Sequence, residues 1–286
     1  MAISLNQNIS ALQVSGRLAS TSEKLNGTLG RLSSGLRIQK PGDDPAGMQI
    51  ADTLKADAKI AGAALQNAST AISYTSIADA ALSGVSTLLT RMAELAEQSA
   101  NGVYANSQRS ALSNEFMALG SEIQRIARTT EFNGTALLSN GANVTIQIGL
   151  DGGTDSRLTL NAITGTLAGL GLATSGSNAL TYSILGGTEA NSLSASRLAI
   201  DAVSAALGSL NSTRGSIGAV ESRLGTAVNY LTSVREQFLA AESRIRDADI
   251  ATEVAEMVRL QVLQQAQAAV LGQANQQVSV ALSLLG

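Results

Sequence analysis

The side chains with which proteins most often do chemistry are missing from this 286-residue chain, which has no His, no Cys and no Trp. Their absence removes the histidine general base, the cysteine nucleophile, any disulfide framework and almost every structural zinc site. What remains is acidic. Asp43-Asp44 and the pair Asp247 and Asp249 have the residue types for acid–base work or for holding a hard cation. Asp151-Gly152-Gly153-Thr154-Asp155 has some likeness to one calcium-binding repeat. Each has a plainer use. Pro45-Ala46 directly after Asp44 fits a helix that starts behind an aspartate cap. Asp247 and Asp249 suit a similar joint, and a single Gly-rich string is ordinarily a turn. The expectation is therefore no enzyme, with no catalytic residue, cofactor or metal.

Three other residues have a spacing worth attention. Arg91 and Leu95 lie four apart, hence on one helical face. If the chain reverses near Val103, Glu115 comes back opposite Arg91 on the antiparallel partner. That arrangement predicts one surface on which Arg91, Leu95 and Glu115 converge, and its plain use is a salt-bridged helix face.

The elements that must carry these residues are mostly helical. Alanines number 46 and aromatics are 2% of the chain, so buried area must come from aliphatic side chains packed closely. Charged residues are only 14%, a poor surface for a free monomer and a reasonable one for a subunit among copies of itself. The net charge is -3 with no basic stripe, which speaks against a nucleic-acid partner. Val203, Leu210, Ile217, Leu224, Leu231, Phe238 and Ile245 recur at a strict step of seven, with Ala206, Thr213, Val220, Ala227, Val234 and Ala241 three residues behind. This a/d pattern predicts a coiled-coil seam. Leu65, Ile72, Ala78, Leu82, Val85, Leu89 and Met92 keep helical spacing up to Asn101-Gly102, and Leu112 to Ile126 make a shorter helix ending near Asn133-Gly134. From Ser139 to about Ala190 the heptads vanish. Val144–Ile148 and Leu158–Leu160 alternate like strands around the turn Asp151-Gly152-Gly153, and Thr164–Ser183 reads as a dispensable loop. The fold class expected is mainly α: a long coiled-coil rod bundle with a small β-hairpin region, plus a terminal helix pair.

At the ends, Leu5, Ile9, Leu12, Leu18, Leu25 and Leu32 answer Ile250, Val254, Val258, Val262, Ala266, Val270, Ala274, Val278 and Leu282, which step by four. Such a step winds the apolar track round the helix. Leu260–Gly286 holds no charge but seven Gln, whose amides are costly in hydrocarbon, so an interface helix is expected and no membrane span. The first residues have neither a basic nor an apolar leader region, which excludes an ordinary secretory signal peptide.

Arg31-Leu32-Ser33-Ser34-Gly35-Leu36-Arg37-Ile38, Asp43-Asp44-Pro45-Ala46-Gly47, Ser243–Asp249, Ala251–Met257, Gln264-Gln265-Ala266, Gln273–Gln276 and Leu282–Leu285 together resemble the N- and C-terminal signatures of bacterial flagellin. The resemblance covers about 1–140 and 190–286. It implies a channel-lining inner domain from 1–44 and 246–286, a rod domain over 45–245 with a Gly/Ser/Thr-rich β region at about 139–190, and no large outer domain. It implies an extracellular filament subunit for motility, exported without a cleaved signal peptide, whose partners are other copies, the flagellar export apparatus, an export chaperone, and hook-associated and cap proteins. The string Arg91–Asn101 resembles the family's patch for subunit contacts and for an animal innate immune receptor. Gln39-Lys40-Pro41-Gly42 departs from the family's usual sequence. Lys40-Pro41 before Asp43-Asp44-Pro45 also resembles the hook–filament junction protein, and a hook-associated protein of that kind or a minor filament subunit stands as the alternative function.

Overall fold

A computed structural model describes residues 8–283, and of 277–283 the backbone alone. The described residues form five helices, α1 (Ile9–Ser34), α2 (Pro45–Ala100), α3 (Asn106–Thr129), α4 (Glu189–Arg246) and α5 (Ile250–Ser283). Between α3 and α4 lie two antiparallel hairpins, β1 (Glu131–Phe132) with β2 (Thr135–Ala136), and β3 (Val144–Gln147) with β4 (Arg157–Leu160). The mainly helical fold with a small β region is the one that the heptads and the alternating segments predict.

Two compact units share the chain: Met1–Ala58 with Glu236–Gly286, and Lys59–Arg235. These boundaries differ from the expected ones at 44/45 and 245/246. Those positions are where the helices break, whereas the division into units falls inside the uninterrupted helices α2 and α4.

In the first unit α1 and α5 pack as an antiparallel pair. Asn8 caps α1, its Oδ1 accepting from Ala11 N at 3.0 Å, while its Nδ2 donates to Ala274 O across the pair. At the other end of α1 the Arg31 guanidinium grips Glu253 through Nε (2.6 Å) and Nη2 (3.2 Å). Gly35 ends α1 at φ 73°, a left-handed cap that a side chain would strain, and its N–H closes on Arg31 O. The strap that follows pairs with the α4–α5 joint: Arg37 N donates to Arg246 O, and Ala248 N to Gly35 O. Ile38, 2% exposed, anchors it.

The second unit is built on two facing seams. On α4, Val203, Leu210, Ile217, Leu224 and Leu231 are all buried. Phe238 and Ile245, beyond this unit, are only half-buried. On α2 the buried positions are Ala61, Ala68, Thr75, Leu82, Leu89 and Ala96, with Ala64, Ala71, Ala78, Val85, Met92 and Ser99 three residues on. That is a second strict heptad, made largely of small side chains, and it displaces the expected Leu65 and Ile72, which are half-buried. Phe116, Ile123 and Ala127 of α3 complete the core. The first hairpin turns on Asn133 (φ 50°) and Gly134 (φ 74°), a geometry that Asn and Gly tolerate best. The segment read as a dispensable loop is part of this core: Leu167, Leu170 and Leu172 are 1%, 5% and 0% exposed. It has no periodicity because it is folded by short turns rather than by a helix.

Candidate functional site

The acidic residues near the joints serve caps and turns, Asp247 by accepting from the Ser243 hydroxyl at 2.5 Å. Asp44 Oδ1 accepts from Gly47 N at 2.9 Å at the start of α2, and Asp249 accepts from Ala251 N and the Thr252 hydroxyl at the start of α5. Asp43 Oδ2 accepts from Lys40 N and Gln39 N, both at 3.0 Å. These donors stabilise the ionised form and hold both Asp43 and Asp249 below the usual carboxylate range. Asp151 likewise spends Oδ1 on the Ser156 hydroxyl and Gly153 N within its own turn. Among the described residues no group of acidic side chains gathers in a way that could hold a metal ion.

Arg91 and Glu115 meet. The Arg91 Nε donates to Glu115 Oε1 at 2.9 Å and its Nη1 to Glu94 Oε2 at 2.9 Å, and the arginine and both carboxylates are exposed. The pair joins α2 to α3, so the chain does reverse after Asn101. Leu95 is not on that surface. It is 0% exposed and lies in the core with Phe116 and Ile123. A step of four residues overshoots one helical turn by about 40°, which carries Leu95 from the Arg91 face to the side that α3 covers. The surface thus holds Arg91, Glu94 and Glu115, with Leu95 packed beneath it.

Two features escaped sequence reasoning. Arg109, one of the scattered arginines, is 1% exposed in the first turn of α3. Its Nη2 donates to Asn101 O at 2.9 Å and its Nη1 to Glu189 O at 3.3 Å, tying the end of α2 to the start of α4. Also between α2 and α4, Ser196 Oγ donates to Ser99 Oγ at 2.9 Å, and Ser99 Oγ donates to Ile184 O at 2.9 Å. Heptad position 99 for a buried serine was the only signal, and a serine carries no hydrophobic one.

The helix pair of the first unit is apolar on more than its contact face. Leu25, Leu260 and Ala274 are buried within it, while Leu12 is 76% exposed, Val262 59%, Ile9 56% and Val270 53%. Leu29, Ile250, Val254 and Val258 are exposed as well. Leu5, Val278 and Leu282, also counted in the apolar tracks, lie outside the residues whose side chains are described. Among the described residues no helix is long and apolar enough to cross a membrane.

Comparison with known proteins accounts for both ends of the chain. Residues 5–143 match the bacterial flagellin N-terminal helical region, and residues 200–285 match the bacterial flagellin C-terminal helical region. A flagellin of Halalkalibacterium halodurans is 35% identical over 282 residues, covering 98% of this chain and 99% of that one. The flagellar filament 33 kDa core protein of Treponema phagedenis is 32% identical over 290 residues, covering 98% of this chain and 99% of its own. The crystal structure of Bacillus cereus flagellin aligns with 27% identity and a TM-score of 0.48, covering 58% of this chain and 88% of that chain.

Proposed function

The chain belongs to the bacterial flagellin family and is a structural subunit of the flagellar filament, and from that premise we propose that α1 and α5 are the elements through which copies assemble. The supporting observation is the exposed apolar surface of that pair. A helix pair satisfied by its own contact would direct polar residues outward, whereas Leu12, Val262, Ile9 and Val270 stand in solvent in the isolated subunit. Copies of the same chain supply the missing cover, and the absence of charged side chains on α5 beyond Leu260 fits an interface core rather than a rim. The relatives are flagellins and filament core proteins, which favours the filament subunit over the hook–filament junction reading.

The Arg91–Glu94–Glu115 surface is proposed as a second contact between copies, and as the face that an animal innate immune receptor reaches on free monomers. Leu95 takes part only by holding α2 against α3. The further partners proposed are the export apparatus and an export chaperone before assembly, with hook-associated and cap proteins at the filament ends. The seam Val203–Ile245 is proposed to act within the subunit, as the scaffold for these surfaces.

The test is polymerisation of a variant whose monomer is unaltered. Leu12→Asp and Val262→Asp place a carboxylate on the exposed face, where it costs the monomer little. In an assembled interface it is buried without a partner, which costs several kcal/mol. The critical concentration should rise steeply, with monomer circular dichroism unchanged. Polymerisation at the wild-type critical concentration would show that this face does not lie between subunits.

A further inference from the structure

Four Asn-Gly pairs occur in the chain, at Asn26, Asn101, Asn133 and Asn140. Such a pair can cyclise, because glycine leaves the backbone nitrogen unhindered. Three of the four have ordinary surroundings. Asn26-Gly27 lies inside α1, where the backbone is committed to the helix. Asn133-Gly134 is the locked turn between β1 and β2. Asn140-Gly141 is exposed chain between the hairpins.

Asn101-Gly102 is different, because donors surround both groups that must react. The peptide carbonyl of Asn101 accepts from the buried Arg109 guanidinium at 2.9 Å and from Tyr104 N at 3.4 Å. Polarising this carbonyl makes the Gly102 N–H that shares its amide more acidic, because the charge left on deprotonation spreads onto that oxygen. The side-chain amide oxygen, Asn101 Oδ1, accepts from Val103 N at 3.1 Å. That donor sits where negative charge develops when a nucleophile adds to Cγ, as an oxyanion hole does. Asn101, Gly102 and Val103 are all exposed, so base and water reach the site.

We propose that Asn101-Gly102 is a site of self-promoted succinimide formation and deamidation, driven by Arg109 and the Val103 N–H. Hydroxide or buffer base takes the Gly102 amide proton, and the nitrogen adds to Asn101 Cγ. The bond from Cγ to the side-chain nitrogen then breaks, and ammonia leaves with a proton from solvent. Water opens the ring at either carbonyl, giving aspartate or isoaspartate at position 101. The isoaspartate form inserts a methylene into the backbone joining α2 to α3 and sets a carboxylate within reach of Arg109. Arg109 acts here as a positioning residue. The inference is independent of the filament reading, since it concerns the free subunit.

The experiment ages the full-length monomer at mildly alkaline pH and follows each Asn-Gly peptide by mass spectrometry, with isoaspartate read by enzymatic methylation. Asn140 is the internal reference. One charge-assisted hydrogen bond to the developing anion is worth about tenfold in rate, so Asn101 should react about ten times faster than Asn140. Arg109→Lys and Arg109→Met should bring the ratio down toward one, with Lys retaining part of the effect. Gly102→Ala, whose Cβ would meet nothing within 4 Å, should silence Asn101 while Asn140 continues unchanged. This variant leaves Arg109 and its bonds in place, so it tests the reaction even if the Arg109 variants loosen the turn. Equal rates at Asn101 and Asn140 in the wild type would overturn the proposal. A ratio that stays high in both Arg109 variants would overturn the role of Arg109.

Discussion

Leu224→Ala is the sharpest test of the two-seam architecture. Leu224 is 0% exposed and packs with Ala68 and Ala71 of α2 and with Ile146 and Leu158 of the second hairpin. Truncation of a buried leucine costs about 2–5 kcal/mol, the larger values where neighbours cannot close the cavity. Two of these neighbours are alanines with no rotamer to move, and the other two are held by the β3–β4 ladder. A cost in the upper half of that range follows, about 4 kcal/mol. With a urea dependence of about 2 kcal/mol per molar, the midpoint should fall by about 2 M. The readout is unusually clean. All four tyrosines, Tyr74, Tyr104, Tyr182 and Tyr230, lie in the unit Lys59–Arg235, and the chain has no Trp, so intrinsic fluorescence reports that unit alone. Leu198→Ala is the control: Leu198 is on the same helix but 60% exposed, and its loss should stay within about 0.5 kcal/mol. A Leu224→Ala midpoint no lower than that of Leu198→Ala would refute the reading that the α4 heptad faces the alanine seam of α2.

Deleting Thr164–Ser183 in favour of a Gly-Ser link removes Leu167, Leu170 and Leu172 from the core, and the urea midpoint of the tyrosine signal should drop by more than about 1 M, given several kcal/mol lost; a tolerated deletion would mean that the segment is peripheral. Arg91→Glu sets a third acidic side chain beside Glu94 and Glu115, so the critical concentration for polymerisation should rise, and an unchanged value would leave this face to solvent in the filament. Stability should be flat from about pH 8 to about pH 5, since no His titrates there. Arg214 holds Asp79 below the usual carboxylate value, so the unfolded chain takes up protons first as pH falls; this contribution is present above about pH 4 and is lost below it. Urea midpoints across pH check both statements, and a fall between about pH 7 and pH 5 would contradict them. Hydrogen exchange of α1 and α5 should be fast in the monomer and strongly slowed in filaments, because so few side chains of the pair are buried before assembly; equal protection in both states would contradict the proposed assembly role.

What could be read from the residues alone follows the size of the side chains. Val203 to Leu231 were legible because branched aliphatics recurring at a step of seven fit a buried helical seam and little else. The matching heptad of α2 was only half legible, since Ala61, Ala64, Ala68, Ala71 and Ser99 carry too little apolar weight to announce a buried row. Leu95 went the other way: an i,i+4 neighbour of Arg91 shares a face only until a third helix takes one edge of it. Arg109 was invisible, because a guanidinium buried against carbonyl oxygens has no partner charge in the sequence to betray it. The core leucines of 167–172 lacked any period, so composition dominated and suggested a loop.

A row of alanines has one further consequence. Ala61, Ala64, Ala68, Ala71 and Ala78 offer α4 nearly the same shallow step at each heptad, so that stretch encodes direction but hardly encodes position along the axis. Shifted by one repeat, Leu224 would meet Ala61 and Ala64 in place of Ala68 and Ala71, an almost identical wall on its α2 side. What distinguishes the true alignment from its neighbours is polar and local: Arg214 gripping Asp79 at 2.8 Å and 3.2 Å, and the Ser196 hydroxyl meeting Ser99 at 2.9 Å. A slip would part Ser99 from Ser196, whose hydroxyl keeps Ser192 O within its own helix, and a buried Ser99 left unpaired would cost of order ~1–3 kcal/mol. The alanines make the ruler smooth, and these few polar contacts are its graduations.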